Sequence, residues 1–170
     1  MSLYDHTVPR FAKALDQCDL WIVKTIEFAK SKGFEADTLL TARLAPDMFP
    51  LVRQFQSICD QTKFVCARVT GKEVPSHADT EKTWDEVRGR VRSAREVLSS
   101  FTREDFEGAE KRHVTLPWVQ GKYLTGEDYV FDFGLLNFHF HLATAYAILR
   151  HNGVPLGKPD FIGGLPFKDA

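Results

Sequence analysis

The sequence predicts an all-α fold, an up-down four-helix bundle that makes a single domain of residues 1–170. Three observations predict it. Four long segments carry apolar residues at alternating spacings of three and four, the signature of one buried helical face. Glycines stand just past three of those segments, at Gly33, Gly71 and Gly153, where a helix favours a left-handed closing residue. The stripes also run close to the heptad period, which favours side-by-side packing at small crossing angles.

The first segment runs from Thr7 to Lys32, with Phe11, Leu15, Cys18, Ile22, Thr25 and Ala29 as its stripe. Trp21 and Phe28 widen that stripe, as a helix with more than one neighbour requires. Phe34 to Pro46 has little pattern and reads as a loop. The second segment starts at Asp47 or Pro50, proline being tolerated in a first turn, and ends at Gly71. Its stripe is Leu51, Phe55, Ile58, Thr62, Val65 and Val69. The third has the strictest period, through Trp84, Val87, Val91, Ala94, Leu98 and Phe101, with Asp79 or Thr80 as its cap. Val74-Pro75-Ser76-His77 leads into it.

Arg103 to Phe133 breaks the helical period and reads as a long ordered connection with room for a short hairpin. A connection of that length in a compact domain is more often functional or interfacial than idle. The fourth segment spans Leu135 to Asn152, with Phe138, Leu142, Ala145 and Leu149 facing inward. After it, Val154 to Ala170 is rich in proline and glycine. It is expected to be an extended, non-helical tail pinned by Phe161, Ile162, Leu165 and Phe167.

Composition excludes several function classes. Apolar residues at 44% and charged ones at 26% match a globular protein and exclude a disordered one. Lys and Arg total 22 against 23 Asp and Glu, so the basic excess of a nucleic-acid binder is missing. No apolar run approaches the ~20 residues of a membrane span, and no signal peptide opens the sequence. Cys59 and Cys66, seven apart on one helix, are separated by about 10 Å of rise and cannot bridge. With Cys18 they read as free buried thiols, which suits a reducing cytoplasm.

Few residues suggest chemistry. His139 and His141 are rotated by about 200° on a helix and cannot chelate one ion. His141 shares a face with Asn137, which suggests either a hydrogen-bonded boundary histidine or the polar end of a pocket between helices. Gln54 and Gln61 flank the stripe of the second helix and can reach the fourth. Glu110-x-x-His113 matches a di-iron half-site but occurs once and outside the long helices, which excludes that centre. Arg88, Arg92 and Arg95 share a face with Glu81 and Asp85, a mixture typical of a solvated surface. No phosphate-binding glycine loop and no nucleophile elbow appear.

Asn137-Phe138-His139-Phe140-His141, followed by Ala145 to Val154, resembles the hallmark stretch of an uncharacterised family within the DinB/YfiT-like superfamily. Gly157-Lys158 and Asp160 match that family's tail. The resemblance implies a four-helix bundle that forms a homodimer. Among the superfamily's characterised members it implies metal-dependent thiol S-transferases, whose ligands are one histidine on the second helix and an H-x-x-x-H pair on the last. Here the second helix, Asp47 to Thr70, has no histidine, and His141 is preceded at four by Asn137 and followed at four by Ala145. Amide oxygens replace nitrogen poorly at zinc or nickel. The expected function is therefore binding of a small molecule at Gln54, Asn137 and His141 with no metal and no assigned catalytic residue. The alternative is a divergent zinc or nickel enzyme that borrows His77 or His113 from a loop.

Overall fold

A computed structural model describes residues 2–168. Its helices are Leu3–His6 (α1), Val8–Lys32 (α2), Leu51–Thr70 (α3), Trp84–Ser99 (α4), Gly126–Asp128 (α5), Leu135–His151 (α6) and Lys158–Ile162 (α7). Strands His113–Val114 (β1) and Leu124–Thr125 (β2) pair antiparallel, so the long connection does hold a short hairpin. The four predicted stripes supply one continuous apolar core. Phe11, Ile22, Phe55, Ile58, Val91, Leu98, Phe138 and Leu149 all lie in it. Gly33 and Gly71 close α2 and α3 in the left-handed region, with φ of 73° and 76°.

The helices do not alternate in direction. Arg88 binds Asp19 and Arg95 binds Asp16, so α4 runs antiparallel to α2. Gln54 meets His141, while Gly134 abuts Val65, so α6 runs antiparallel to α3. Yet Phe55 packs edge-on against Trp84 near the starts of α3 and α4, and Lys72 Nζ reaches Ser100 O, 2.6 Å away, just past their ends. α3 and α4 are therefore parallel, and the expected up-down order becomes up-down-down-up. The cause is the connection from Gly71 to Thr83. Extended at about 3.3 Å per residue, it outreaches the ~30 Å length of α3 and returns the chain to that helix's start.

This returning strap is held by buried charge. Lys63, with no exposed surface, donates from Nζ to Pro75 O at 3.1 Å and to His77 Nδ1 at 2.6 Å, and it pairs with Asp60 at 3.1 Å. Arg90 donates to Ala78 O at 3.0 Å and pairs with Asp60, Asp79 and Glu81. Gln56 Nε2 donates to the second oxygen of Glu81, and Arg53 closes the ring on Asp79. Two cations from α3 and α4 thus satisfy strap carbonyls that no sheet partner reaches. Leaving either cation unpaired would cost about 3–5 kcal/mol.

Local boundaries also depart from expectation. α4 begins at Trp84, three or four residues later than a cap at Thr80 or Asp79 would start it. Thr83 caps it in a capping box with Glu86, while Asp79 is drawn into the ion cluster. The last helix begins early, because α5 runs through a π-helical stretch, Tyr129–Gly134, into α6. The wider turn breaks the 3.6 period and hides this helical segment from pattern reading. The tail is not wholly extended: α7 forms there, with Pro159 in its first turn and Asp160 accepting from Gly157 N at 2.7 Å. Of the tail's expected anchors only Phe161 packs against the core, whereas Leu165 and Phe167 are exposed. Trp21 is fully buried, stacked on Phe161 and edge-on to Tyr146, so it offers nothing to a second subunit.

Val91 lies at the centre of this core at 2% exposure. Val91→Asp should cost more than about 3 kcal/mol and abolish the cooperative thermal transition followed by circular dichroism. An unchanged melting temperature would mean that the inner face of α4 is misassigned.

Burial first, then the charges of Lys63 and Arg90, hold the His77 pKa below the ordinary 6.5 of imidazole, and burial does the same for His141. The unfolded chain therefore takes up these protons before the folded chain does. Stability is fully present above about pH 6.5 and is lost as pH falls through that value towards the lower folded pKa values. Urea midpoints measured from pH 8 to pH 5.5 should decline, and His77→Asn should flatten part of that decline. A midpoint that rises on acidification would contradict Nδ1 of His77 as an acceptor.

Candidate functional site

The polar seam of the molecule lies where α3 faces α6. Gln54 is on the first turn of α3, and its Nε2 donates to Phe49 O at 3.0 Å. A carbonyl only accepts, so this bond fixes the amide orientation and points Oε1 at His141 Nδ1, 2.8 Å away. Nδ1 must then carry the ring proton. Burial and the neighbouring Arg53 guanidinium lower the His141 pKa, which keeps the ring neutral at pH 7. What remains is Nε2, which carries the lone pair of a buried histidine that forms no other side-chain hydrogen bond with a described residue.

Other amides line the same seam. Gln61, two turns along α3 from Gln54, has its Oε1 buried without a hydrogen-bond partner among the described residues. The antiparallel register set by Gln54–His141 and Val65–Gly134 brings Gln61 level with the stretch of α6 that holds Asn137. Asn137 is half-buried on the flank of that stretch. Arg53, whose charge acts on His141, stands 5.5 Å above the Phe49 ring, and was not singled out from sequence because a charged residue beside a glutamine carries no pattern.

Gln54 and His141 are thus in direct contact, and Asn137 lies one turn before His141 on the same helix. The other residues raised by the sequence lie apart from them. His139 is exposed, and its Nδ1 donates to Leu135 O at 2.7 Å, as the rotation between the two histidines requires. His77 has both ring nitrogens engaged, by Lys63 and by Ser93 Oγ at 3.0 Å. His113 stacks on Tyr123 at 3.7 Å in the hairpin. Arg88 and Arg95 are ion-paired to α2, which makes that face of α4 a helix contact instead of a wholly solvated surface.

A transition metal fits this seam badly. The Gln54 oxygen is already used by the Nδ1 proton, and the remaining amide oxygens are weak donors beside a single imidazole nitrogen. No group of three or more His, Cys, Asp or Glu is placed to hold a metal ion among the described residues. The thiols offer no alternative nucleophile: burial pushes Cys59 and Cys66 up to about 12 and Cys18 well above its ordinary value. No helix of the described residues is long and apolar enough to cross a membrane.

Comparison with known proteins agrees with this architecture. A crystal structure at 1.83 Å resolution of a DinB family member protein from Shewanella denitrificans is 42% identical, with a TM-score of 0.96 over 99% of this chain and 96% of that one. No functionally curated protein matches the sequence. The model of the family described as a domain of unknown function, DUF1993, matches residues 3–162. The chain belongs to that family, within a DinB-like fold.

Proposed function

We propose that this protein is a DinB-like four-helix bundle that binds a small polar molecule at the α3–α6 seam, and that it is not a metal-dependent thiol S-transferase. One observation carries the reading: the chain from His141 through Gln54 to Phe49 O holds a neutral imidazole with Nε2 as a free acceptor. The unpaired Oε1 of Gln61 adds a second acceptor on the same seam. Two acceptors call for a ligand that donates hydrogen bonds, such as an amine, amide or polyol. Free, buried thiols suit the reducing cytoplasm.

Selective ¹⁵N-histidine spectra at pH 7 should show His141 as the Nδ1–H tautomer, a form that His141 loses its reason to adopt in Gln54→Leu. An Nε2–H tautomer would overturn the reading. Protein purified without a histidine tag or chelator should carry far less than one equivalent of zinc or nickel. Stoichiometric metal that disappears in His141→Ala would put the metalloenzyme first.

A homodimer belongs to the same proposal. Beside its polar residues, α6 carries Leu136, Phe140, Ala143 and Ala147 at helical spacing away from the core. Leu136 and Phe140 are 63% and 54% exposed, where a helix facing solvent would carry charge. Light scattering at micromolar concentration should report twice the chain mass, and Phe140→Glu should shift it to one. A monomer at every concentration would remove this part.

A further inference from the structure

We propose that the seam between α2 and α6 holds a second site, one that takes a small aromatic anion. The four long helices are unevenly spaced. α2 packs closely on α4, and α3 on both α4 and α6, whereas the backbones of α2 and α6 barely approach each other. Large side chains bridge that gap. Phe11 meets Phe138 with ring centres 4.7 Å apart, and further along Trp21, Tyr146 and Phe161 form an aromatic trio.

α7 plugs only part of the seam. Gln17 Nε2 donates to the carbonyls of Asp160 and Phe161, Trp21 Nε1 donates to Asp160 O, and Lys24 pairs with the Asp160 carboxylate at 2.6 Å. Beyond this plug, towards α1, the seam opens into a cleft of about 400 Å³, the size range of small-molecule sites. Its apolar walls are Phe11, Phe138, Leu142 and Phe161.

The two charged side chains on this cleft, Arg10 and Lys13, are both cations. His6, Arg10, Lys13 and His139 line it, and no carboxylate does. The chain as a whole carries a net charge of −1, so the clustering is local. Arg10 spends one donor on Asp5 O, at 3.3 Å, and neither Arg10 nor Lys13 forms an ion pair with a described residue. The three acids adjacent in sequence to lining residues are already paired: Asp5 with Arg103 at 2.6 Å, Asp16 with Arg95 at 3.1 Å and Asp160 with Lys24 at 2.6 Å. The groove between α2 and α4 is different, because there Asp16 and Asp19 pair with Arg95 and Arg88. Unpaired cations over aromatic walls match an anionic head on a flat apolar body. His139 is fixed on the wall of the cleft: its Nδ1 donates to Leu135 O, which holds the ring in place. This site is separate from the α3–α6 seam, since His139 and His141 face opposite ways on α6.

Binding of 2-naphthoate and 1-naphthyl phosphate, followed by fluorescence at low salt, tests this and separates carboxylate from phosphate preference. At least one should bind, with amide shifts centred on His6, Gln17 and His139 and none at Gln54 or His141. Neutral 2-naphthamide should bind about tenfold more weakly, and Arg10→Glu with Lys13→Glu should weaken the anion about tenfold or more. Both replaced residues carry no ion pair, so the doubly substituted protein should keep its circular dichroism spectrum. Arg95→Glu, in the mixed-charge groove, should leave the affinity unchanged. Equal binding of the amide, an equal loss in Arg95→Glu, or no binding of either anion would overturn the proposal.

Discussion

Everything in this fold depends on returning the chain along α3 so that α4 can run parallel to it. An extended strap laid against two helices has no ladder to satisfy its carbonyls, and burial without partners is costly. Lys63 and Arg90 meet that need from opposite sides, one to Pro75 O and the other to Ala78 O. Each is then a charge withdrawn from water, which is tolerable only because Asp60, Asp79 and Glu81 converge on them. Asp60 touches both cations and so ties α3 to α4 directly. His77 completes the arrangement as a neutral acceptor whose other nitrogen is bound to Ser93 on α4.

That clamp decides how the remaining helices sit. With α3 and α4 fixed side by side, α2 lies on α4 through paired charges and α6 lies on α3 through the Gln54–His141 contact and the close approach at Gly134. A Cβ at Gly134 would come within 2.9 Å of Val65, which explains a small residue at the exit of the π-helical stretch. The side left unmade is the one between α2 and α6. Aromatic rings and α7 fill it in part, and the buried Trp21 indole needs the Asp160 carbonyl that α7 supplies. The tail is thus part of the core wall, and the spacing it bridges is why a cleft persists beside it.

How much of this was legible in the sequence follows from which features are periodic. The stripes of α2, α3, α4 and the second half of the last helix are periodic, and every residue predicted in them is buried, while Leu39, Leu40, Phe106, Val114 and Val130 join the core from outside the stripes. Direction is not periodic. Parallel and antiparallel neighbours present the same stripe, so the order of α3 and α4 could be read only from the length of the strap. Lys63 and Arg90 were hidden because isolated charges on amphipathic helices read as solvated, and their partners come from a segment with no pattern. The Asp60–Lys63 spacing of three was the one local hint. The π-helical stretch concealed the start of the last helix for the opposite reason, since its apolar residues are present but out of phase.

The Gln54–His141 pair was legible because both residues flank apolar stripes, where a polar side chain needs a partner. Its chemistry was not, because it depends on a third group, the Phe49 carbonyl, which lies in the turn before α3 and leaves no mark in the sequence. That carbonyl fixes the amide, the amide fixes the proton on Nδ1, and the proton leaves Nε2 basic. A histidine at the Gln54 position would present a ring nitrogen to the seam; an amide presents an acceptor to His141 and uses itself up in doing so. The amide at position 54 therefore sets the tautomer of His141 and offers no nitrogen lone pair of its own. In this chain the relay from the Phe49 carbonyl through Gln54 fixes the proton on Nδ1 and leaves Nε2 of the imidazole unprotonated.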